Sequence, residues 1–180
     1  MINVIDLPIN KILHSNCIEL QDFLTESYNS MLISIFEVIV TEMEDINYKK
    51  TVKQRYLNSI NKILTTQKII YEKTNCKLDE KECEIIYNYL CAFFSKINVR
   101  KIYDDSLRIK LLQQQQYKCN ICKKSINIET SELDHVIPWC YVGDELGFKN
   151  LQMLCKCCNR RKSKNSSYNL KMFLINKYND

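Results

Sequence analysis

The chain has 180 residues, 46% of them hydrophobic, with a formal net charge of +5 and ten cysteines. These values are ordinary for a globular protein and fit one compact domain, or a helical body with a small metal module. The start lacks the features of a secretory signal, and the longest apolar stretch, 31–40, is too short to span a bilayer. We therefore expect a cytoplasmic protein with reduced thiols, no membrane partner and no disulfide framework.

The N-terminal half of the chain has the apolar spacing of helices. Steps of three and four residues predict helices over 15–44 and 51–73. The first is long enough to contain a break near Asn29. A third helix is predicted to begin after Asp79, because Asp79 precedes Glu82 by three residues, as in a capping box.

Three further predictions concern the rest of the chain. A fourth helix is predicted over 104–116, and a domain boundary is placed near 98–104. The tail has helical spacing over 168–178, which indicates a closing helix. His14, one of two histidines, has no acid or cysteine at metal-ligand spacing, so it is not a ligand candidate.

Two C-x-x-C pairs stand in the C-terminal half, Cys119 with Cys122 and Cys155 with Cys158. This spacing lets two thiolates reach one ion from a tight turn, and two such pairs predict a structural four-cysteine zinc site. The alternative is a set of free buried thiols. Cys157 is a competing ligand, but the repeated spacing favours Cys158.

A polar set lies within and just after this bracket: Asp134, His135, Asn150 and Asn159. A neutral imidazole accepts a proton from water near pH 7. Carboxylate and amide oxygens are hard ligands that suit Mg2+. A base and a metal together make a site for hydrolysing a phosphodiester. For His135 alone, a packing role is the competing interpretation.

The sequence letters L-D-H-V-I-P, N-L-Q-M-L-C and C-N-R-R-K stand in this region in the order and spacing of a known family. The segment of about residues 105–165 resembles the HNH endonucleases, in their zinc-bracketed subgroup, with Asn159 where the last histidine would stand. The resemblance implies a ββα-metal finger. Because Asn159 offers an amide oxygen instead of an imidazole, Mg2+ or Mn2+ is favoured over a transition metal.

The resemblance also implies roles for the polar set. His135 is the general base that activates water, Asp134 and Asn159 hold the catalytic divalent ion, and Asn150 fixes the loop that aims His135. Neighbours in a regular strand point to opposite faces, so Asp134 and His135 serve one site only if the strand ends or twists there. Pro138 makes an early strand end plausible.

Positive charge is concentrated at the end of the chain. Residues 149–180 contain eight lysines and arginines and one acid. This is the footprint expected for a phosphate backbone, although a solvated helix face has the same composition. The candidates for DNA contact directly follow Asn159: Arg160, Arg161, Lys162 and Lys164.

The sequence therefore predicts a mainly α protein with a small α+β module. Residues 1–100 form a helical body that binds a partner protein or DNA, and residues 101–180 form the HNH nuclease domain with a C-terminal helix. The predicted activity is metal-dependent cleavage of DNA, and analogy suggests prokaryotic restriction or anti-phage defence. The alternatives are a non-catalytic zinc module that binds nucleic acid or protein, and an interaction protein whose finger is only a scaffold.

Overall fold

The computed structural model of the protein describes residues 20–165, and the side chains from residue 23 onward. It is mainly helical, with one small two-stranded sheet, which confirms the predicted fold class. The helical body consists of four helices: α1 Leu20–Glu42, α2 Ile46–Asn58, α3 Lys62–Thr74 and α4 Glu80–Ser95. The expected tail helix, the start of the helix predicted over 15–44, and His14 lie outside the described residues.

The apolar faces of α1, α3 and α4 meet in one core. Phe36 and Ile39 of α1 are fully buried there, as are Ile69 of α3 and Ile86 of α4. Edge-to-face contact with Tyr89 adds to the packing of Phe36, with ring centroids 5.6 Å apart. The helical period of the sequence is thus matched by a shared buried stripe.

Two details of the predicted helices are wrong. No break occurs near Asn29, because α1 runs through this residue to Glu42. The single helix predicted over 51–73 is two helices, α2 and α3. Asn61 caps α3 by accepting a hydrogen bond from the Leu64 N–H, so a polar side chain competes with the helical backbone here.

The start of α4 is as predicted. Asp79 accepts a hydrogen bond from the Glu82 N–H, and Glu82 accepts one from the Asp79 N–H, both at 2.8 Å. These reciprocal bonds form a capping box. The turn before it begins at Asn75, which ends α3 in a left-handed conformation.

The finger follows the helical body. It consists of α5 Asp105–Gln114, β1 Ser131–His135, the short helix α6 Trp139–Val142, a 3-10 turn Gly147–Asn150, β2 Leu151–Cys155 and α7 Lys156–Lys162. The strands are antiparallel, and their register runs from Ser131 opposite Cys155 to His135 opposite Leu151. This register brings the start of β2 beside the end of β1.

The loop between β1 and β2 is part of the helical body's core. Ile137 and Val142 are buried in the same cluster as the α1, α3 and α4 side chains. A second cluster joins α5, the first cysteine pair and β2. The loop that follows His135 is therefore held against the helices rather than exposed, whereas the domain boundary near residue 100 stays a prediction.

By length and composition, Phe23–Glu42 of α1 is able to cross a membrane. In the structure, however, Leu32, Phe36 and Ile39 of this helix are buried in the helical core. A buried core helix can have the same length and apolar composition as a membrane span.

The packing of the β1–β2 loop is tested by replacing Ile137 with alanine. Because the side chain is buried, we expect the free energy of unfolding to fall by about 2–5 kcal/mol in urea denaturation. Ile97→Ala is the control, since Ile97 is 62% exposed, and its effect should stay within about 0.5 kcal/mol. If Ile137→Ala lowered the free energy of unfolding by no more than about 0.5 kcal/mol, as expected for Ile97→Ala, the loop would not be part of the core.

Candidate metal centre and active site

The two C-x-x-C pairs converge on one point. The Sγ atoms of Cys119, Cys122, Cys155 and Cys158 all lie within 4.8 Å of one another, and those of Cys122 and Cys155 are 3.8 Å apart. Four thiolates about 2.3 Å from a tetrahedral zinc ion are separated by about 3.8 Å. The four cysteines are therefore placed to bind one metal ion, at a spacing that suits zinc.

Backbone turns bring the cysteines to this point. The first pair lies in a tight turn closed by the bridge between Lys118 and Ser125, with Lys123 in a left-handed conformation. The second pair begins where β2 ends. Cys155 is the N-cap of α7, and its sulfur accepts a hydrogen bond from the Cys158 N–H at 3.4 Å.

The electrostatics of the four thiols call for a cation. Burial raises the pKa of Cys119, but N–H donors of Cys122, Cys155 and Ile121 outweigh it and hold that pKa below its usual range. Burial and the neighbouring Cys119 thiolate raise the pKa of Cys158 instead. Cys119 and Cys158 are therefore deprotonated together only when a positive ion balances their charge.

A second polar cluster lies between β1 and α7. Asn159 Nδ2 donates to Glu132 Oε2 at 2.8 Å, and Lys162 Nζ lies 3.0 Å from Asp134 Oδ2. Glu132 and Asp134 are two residues apart in β1 and share one face of the ribbon. Asn159 and Lys162 are three apart in α7 and share one face of the helix. The pairing of these four side chains therefore follows from the two-residue period of the strand and the period of three to four residues of the helix.

Asp134 is held through one of its two carboxylate oxygens. Oδ2 accepts a hydrogen bond from Gln152 Nε2 at 2.8 Å and forms an ion pair with Lys162, whereas Oδ1 has no hydrogen-bond partner among the described residues. Gln152 in turn accepts a bond from Asn120 Nδ2, and Asn120 lies between the first two cysteines. A chain of hydrogen bonds thus links the cysteine site to Asp134.

His135 ends β1 and is 6% exposed. Its Nε2 lies 2.9 Å from Oδ1 of Asp144, which is buried in the loop between the strands. Nδ1 has no hydrogen-bond partner among residues 20–165.

Asn150 fastens the backbone that follows His135. Its Oδ1 accepts a hydrogen bond from the Ile137 N–H at 2.8 Å, and its Nδ2 donates to the Ile137 carbonyl at 3.0 Å. Val136 N–H also donates to the Asn150 carbonyl. These three bonds tie the start of β2 to the two residues after His135.

Residues 119–165 match the model of the HNH endonuclease family. The matched segment begins at the first cysteine of the metal site and contains the whole polar set. This HNH segment supports a nuclease-type function in general and implies nucleic-acid binding. Comparisons with curated proteins and with solved structures gave no match.

Within the HNH segment, the four cysteines form the metal-ligand group expected from their spacing, and Cys157 is exposed outside it. The polar set divides between two environments. Asp134 and Asn159 both belong to the polar cluster between β1 and α7, but no hydrogen bond joins their side chains. His135 contacts the loop instead, and its imidazole has no hydrogen bond to Asp134.

One predicted DNA contact needs correction. Lys162 is 1% exposed, and its Nζ donates to the His135 carbonyl at 2.7 Å besides pairing with Asp134. Its position in α7, three residues after Asn159, turns it inward onto β1 rather than out to a phosphate. Arg160, Arg161 and Lys164 are exposed.

Three residues of this site were not predicted from the sequence. Glu132 was recognisable, because it stands two residues before Asp134 and alternation places it on the same strand face. Gln152 lies directly opposite Asp134, but only the strand register shows this. Asp144 carries no local signal beyond being one of two acids between His135 and Asn150.

The metal site is tested by serine substitutions. Cys119→Ser and Cys155→Ser should each lose most of the bound zinc and lower the unfolding temperature, because metal binding and folding of such a site are coupled. Zinc per chain is measured by atomic absorption, and unfolding by circular dichroism. Cys157→Ser is the matched control and should keep both values. Retained zinc in either of the first two variants would refute the ligand assignment.

Proposed function

We propose that the protein is a metal-dependent DNA endonuclease that hydrolyses phosphodiester bonds. The observation that carries this proposal is the match of residues 119–165 to the HNH endonucleases, with Asp134, His135, Asn150 and Asn159 inside the matched segment. The geometry adds support, since an imidazole nitrogen and a carboxylate oxygen that accept no hydrogen bond from the described residues occur at neighbouring positions of one strand end.

His135 acts as the general base. Nδ1 accepts a proton from water, and the oxygen of that water forms a bond to phosphorus while the bond from phosphorus to the 3′ oxygen breaks. The leaving oxygen then takes a proton from solvent. Asn150 holds the backbone after His135, which keeps the imidazole aimed during the reaction.

Asp134 and Asn159 hold the catalytic Mg2+ or Mn2+. Asp134 Oδ1 has no hydrogen-bond partner within residues 20–165, and Asn159 donates its amide nitrogen to Glu132, which leaves its amide oxygen for a metal. Both are hard oxygen ligands. When bound, such an ion stabilises the charge that develops on the phosphate and the leaving oxygen. Lys162 orients Asp134 through the other oxygen.

The cysteine site holds zinc and takes no part in the chemistry. Four thiolates fill a tetrahedral coordination shell and leave no position for water or substrate. Its role is to connect the first cysteine turn, the end of β2 and the start of α7, and so to place Asn159 beside β1.

DNA is the proposed substrate, and its backbone is contacted by Arg160, Arg161 and Lys164. Such contacts position the duplex without reading its sequence. A small finger reaches few base edges, so selectivity falls to the helical body, a second copy or a protein partner. A cytoplasmic role in restriction or anti-phage defence rests on analogy with other short nucleases.

The catalytic proposal is tested by nicking of supercoiled plasmid. Zinc-loaded wild-type protein should nick in Mg2+ or Mn2+ but not in EDTA, and His135→Ala should lower the rate roughly 10²–10⁴-fold, the usual contribution of a general base. His14→Ala replaces the other histidine and should nick like the wild type. No cutting by a folded, zinc-loaded wild type would favour a non-catalytic binding module.

The DNA contacts are tested by the salt dependence of binding. Arg161→Ala and Lys164→Ala should weaken binding to all duplex sequences and each reduce the slope of log affinity against log salt by about one. Lys50→Ala on α2 removes the same charge from an exposed site in the helical body and should leave the slope unchanged. Equal slopes in the wild type and in all three variants would show that Arg161 and Lys164 do not contact the DNA backbone.

A further inference from the structure

The buried carboxylate of Asp144 accepts four hydrogen bonds from separate parts of the chain. Oδ1 lies 2.9 Å from His135 Nε2 and accepts the Tyr103 hydroxyl at 2.6 Å. Oδ2 accepts the Lys101 N–H and the Trp139 Nε1–H, both at 3.0 Å. Asp144 itself is 5% exposed.

These donors keep Asp144 ionised. Burial by itself raises the pKa of this carboxyl, but the hydrogen bonds from Lys101, Tyr103, Trp139 and His135 outweigh burial and hold the pKa well below its usual range. An ionised carboxylate has no proton to donate and accepts only. His135 Nε2 must therefore carry the proton in this contact.

The assignment at Nε2 decides the state of the other ring nitrogen. In a neutral imidazole, one nitrogen carries the proton and the other accepts. With the proton on Nε2, the lone pair is on Nδ1, which no residue in the range 20–165 contacts by a hydrogen bond. One nitrogen of the ring thus faces a fixed anion, and the other carries the lone pair.

We propose that Asp144 is the positioning residue of the catalytic histidine: it orients the His135 ring and fixes the tautomer that leaves Nδ1 free to accept a proton. Its catalytic consequence rests on the proposed nuclease function, whereas its effect on the tautomer does not. Asp144 also stabilises the imidazolium that forms once His135 has taken the proton from water, because the positive ring then lies against a buried negative charge.

The neighbourhood of Asp144 predicts what an amide would do there. Lys101 N–H and Trp139 Nε1–H are donors that cannot become acceptors, whereas the Tyr103 hydroxyl can do either. In Asp144→Asn, the amide oxygen should therefore stay on Lys101 and Trp139, and the NH2 group should face His135 and Tyr103. His135 must then accept at Nε2 and carry its proton on Nδ1. The lone pair that would accept a proton from water is then no longer on Nδ1.

The experiment is 15N NMR of the histidine side chains in zinc-loaded protein without added divalent ion. A His14→Gln background leaves His135 as the sole histidine of the chain. The wild-type ring should show the Nε2–H tautomer, and Asp144→Asn should show Nδ1–H. Glu145→Gln makes the same chemical change at the exposed neighbouring residue and should keep Nε2–H.

Plasmid nicking by the same proteins completes the test. Asp144→Asn should lose roughly 10²–10⁴-fold in rate, and Glu145→Gln should keep the wild-type rate. An Nδ1–H tautomer in the wild type overturns the proposal without any variant, as does an Nε2–H tautomer in folded Asp144→Asn. A tautomer switch in a protein whose wild type does not nick would support the positioning role and refute the proposed function.

Discussion

The finger depends on four cysteine sulfurs that lie within 4.8 Å of one another. Its two strands have five residues each, and α7 has seven. An isolated hairpin or helix of this size is marginal in water. Its buried cluster is formed with α5 and the first cysteine turn rather than within the ββα unit alone. A metal ion that joins the first turn to the β2–α7 junction is therefore the constraint that fixes the finger.

This constraint reaches the polar site by two routes. Cys155 ends β2 and caps α7, so the metal sets where the helix begins and places Asn159 and Lys162 against β1. Asn120, between the first two cysteines, holds Gln152, and Gln152 holds Asp134. The cysteine site and the site of the proposed reaction are thus separate, but α7 and a chain of hydrogen bonds connect them. On the opposite side, the helical body packs around Ile137 and supports the loop that contains Asp144.

The residues that a local pattern can identify were predicted from the sequence. The cysteine pairs and the Asp79 cap each depend on neighbours within a few positions. Contacts that depend on the fold were not. Lys162 belongs to a basic run, and only the turn of α7 shows that it points inward. Asp144 meets His135 because Tyr103, Lys101 and Trp139 converge on it from different segments, and no spacing along the chain encodes that meeting. The division of the predicted 51–73 helix was missed because helical periodicity outweighed the polar stretch ending at Asn61.

The central claim is that one metal ion holds the fold while a different ion, on Asp134 and Asn159, serves the reaction. It is tested most directly by electron paramagnetic resonance of Mn2+ added to zinc-saturated protein, with zinc measured before and after. The account predicts one bound Mn2+ per chain in the wild type, no loss of zinc, and greatly weakened Mn2+ binding in folded Asp134→Asn and Asn159→Ala. Displacement of zinc by Mn2+, or Mn2+ binding in both variants that equals binding in the wild type, would contradict it.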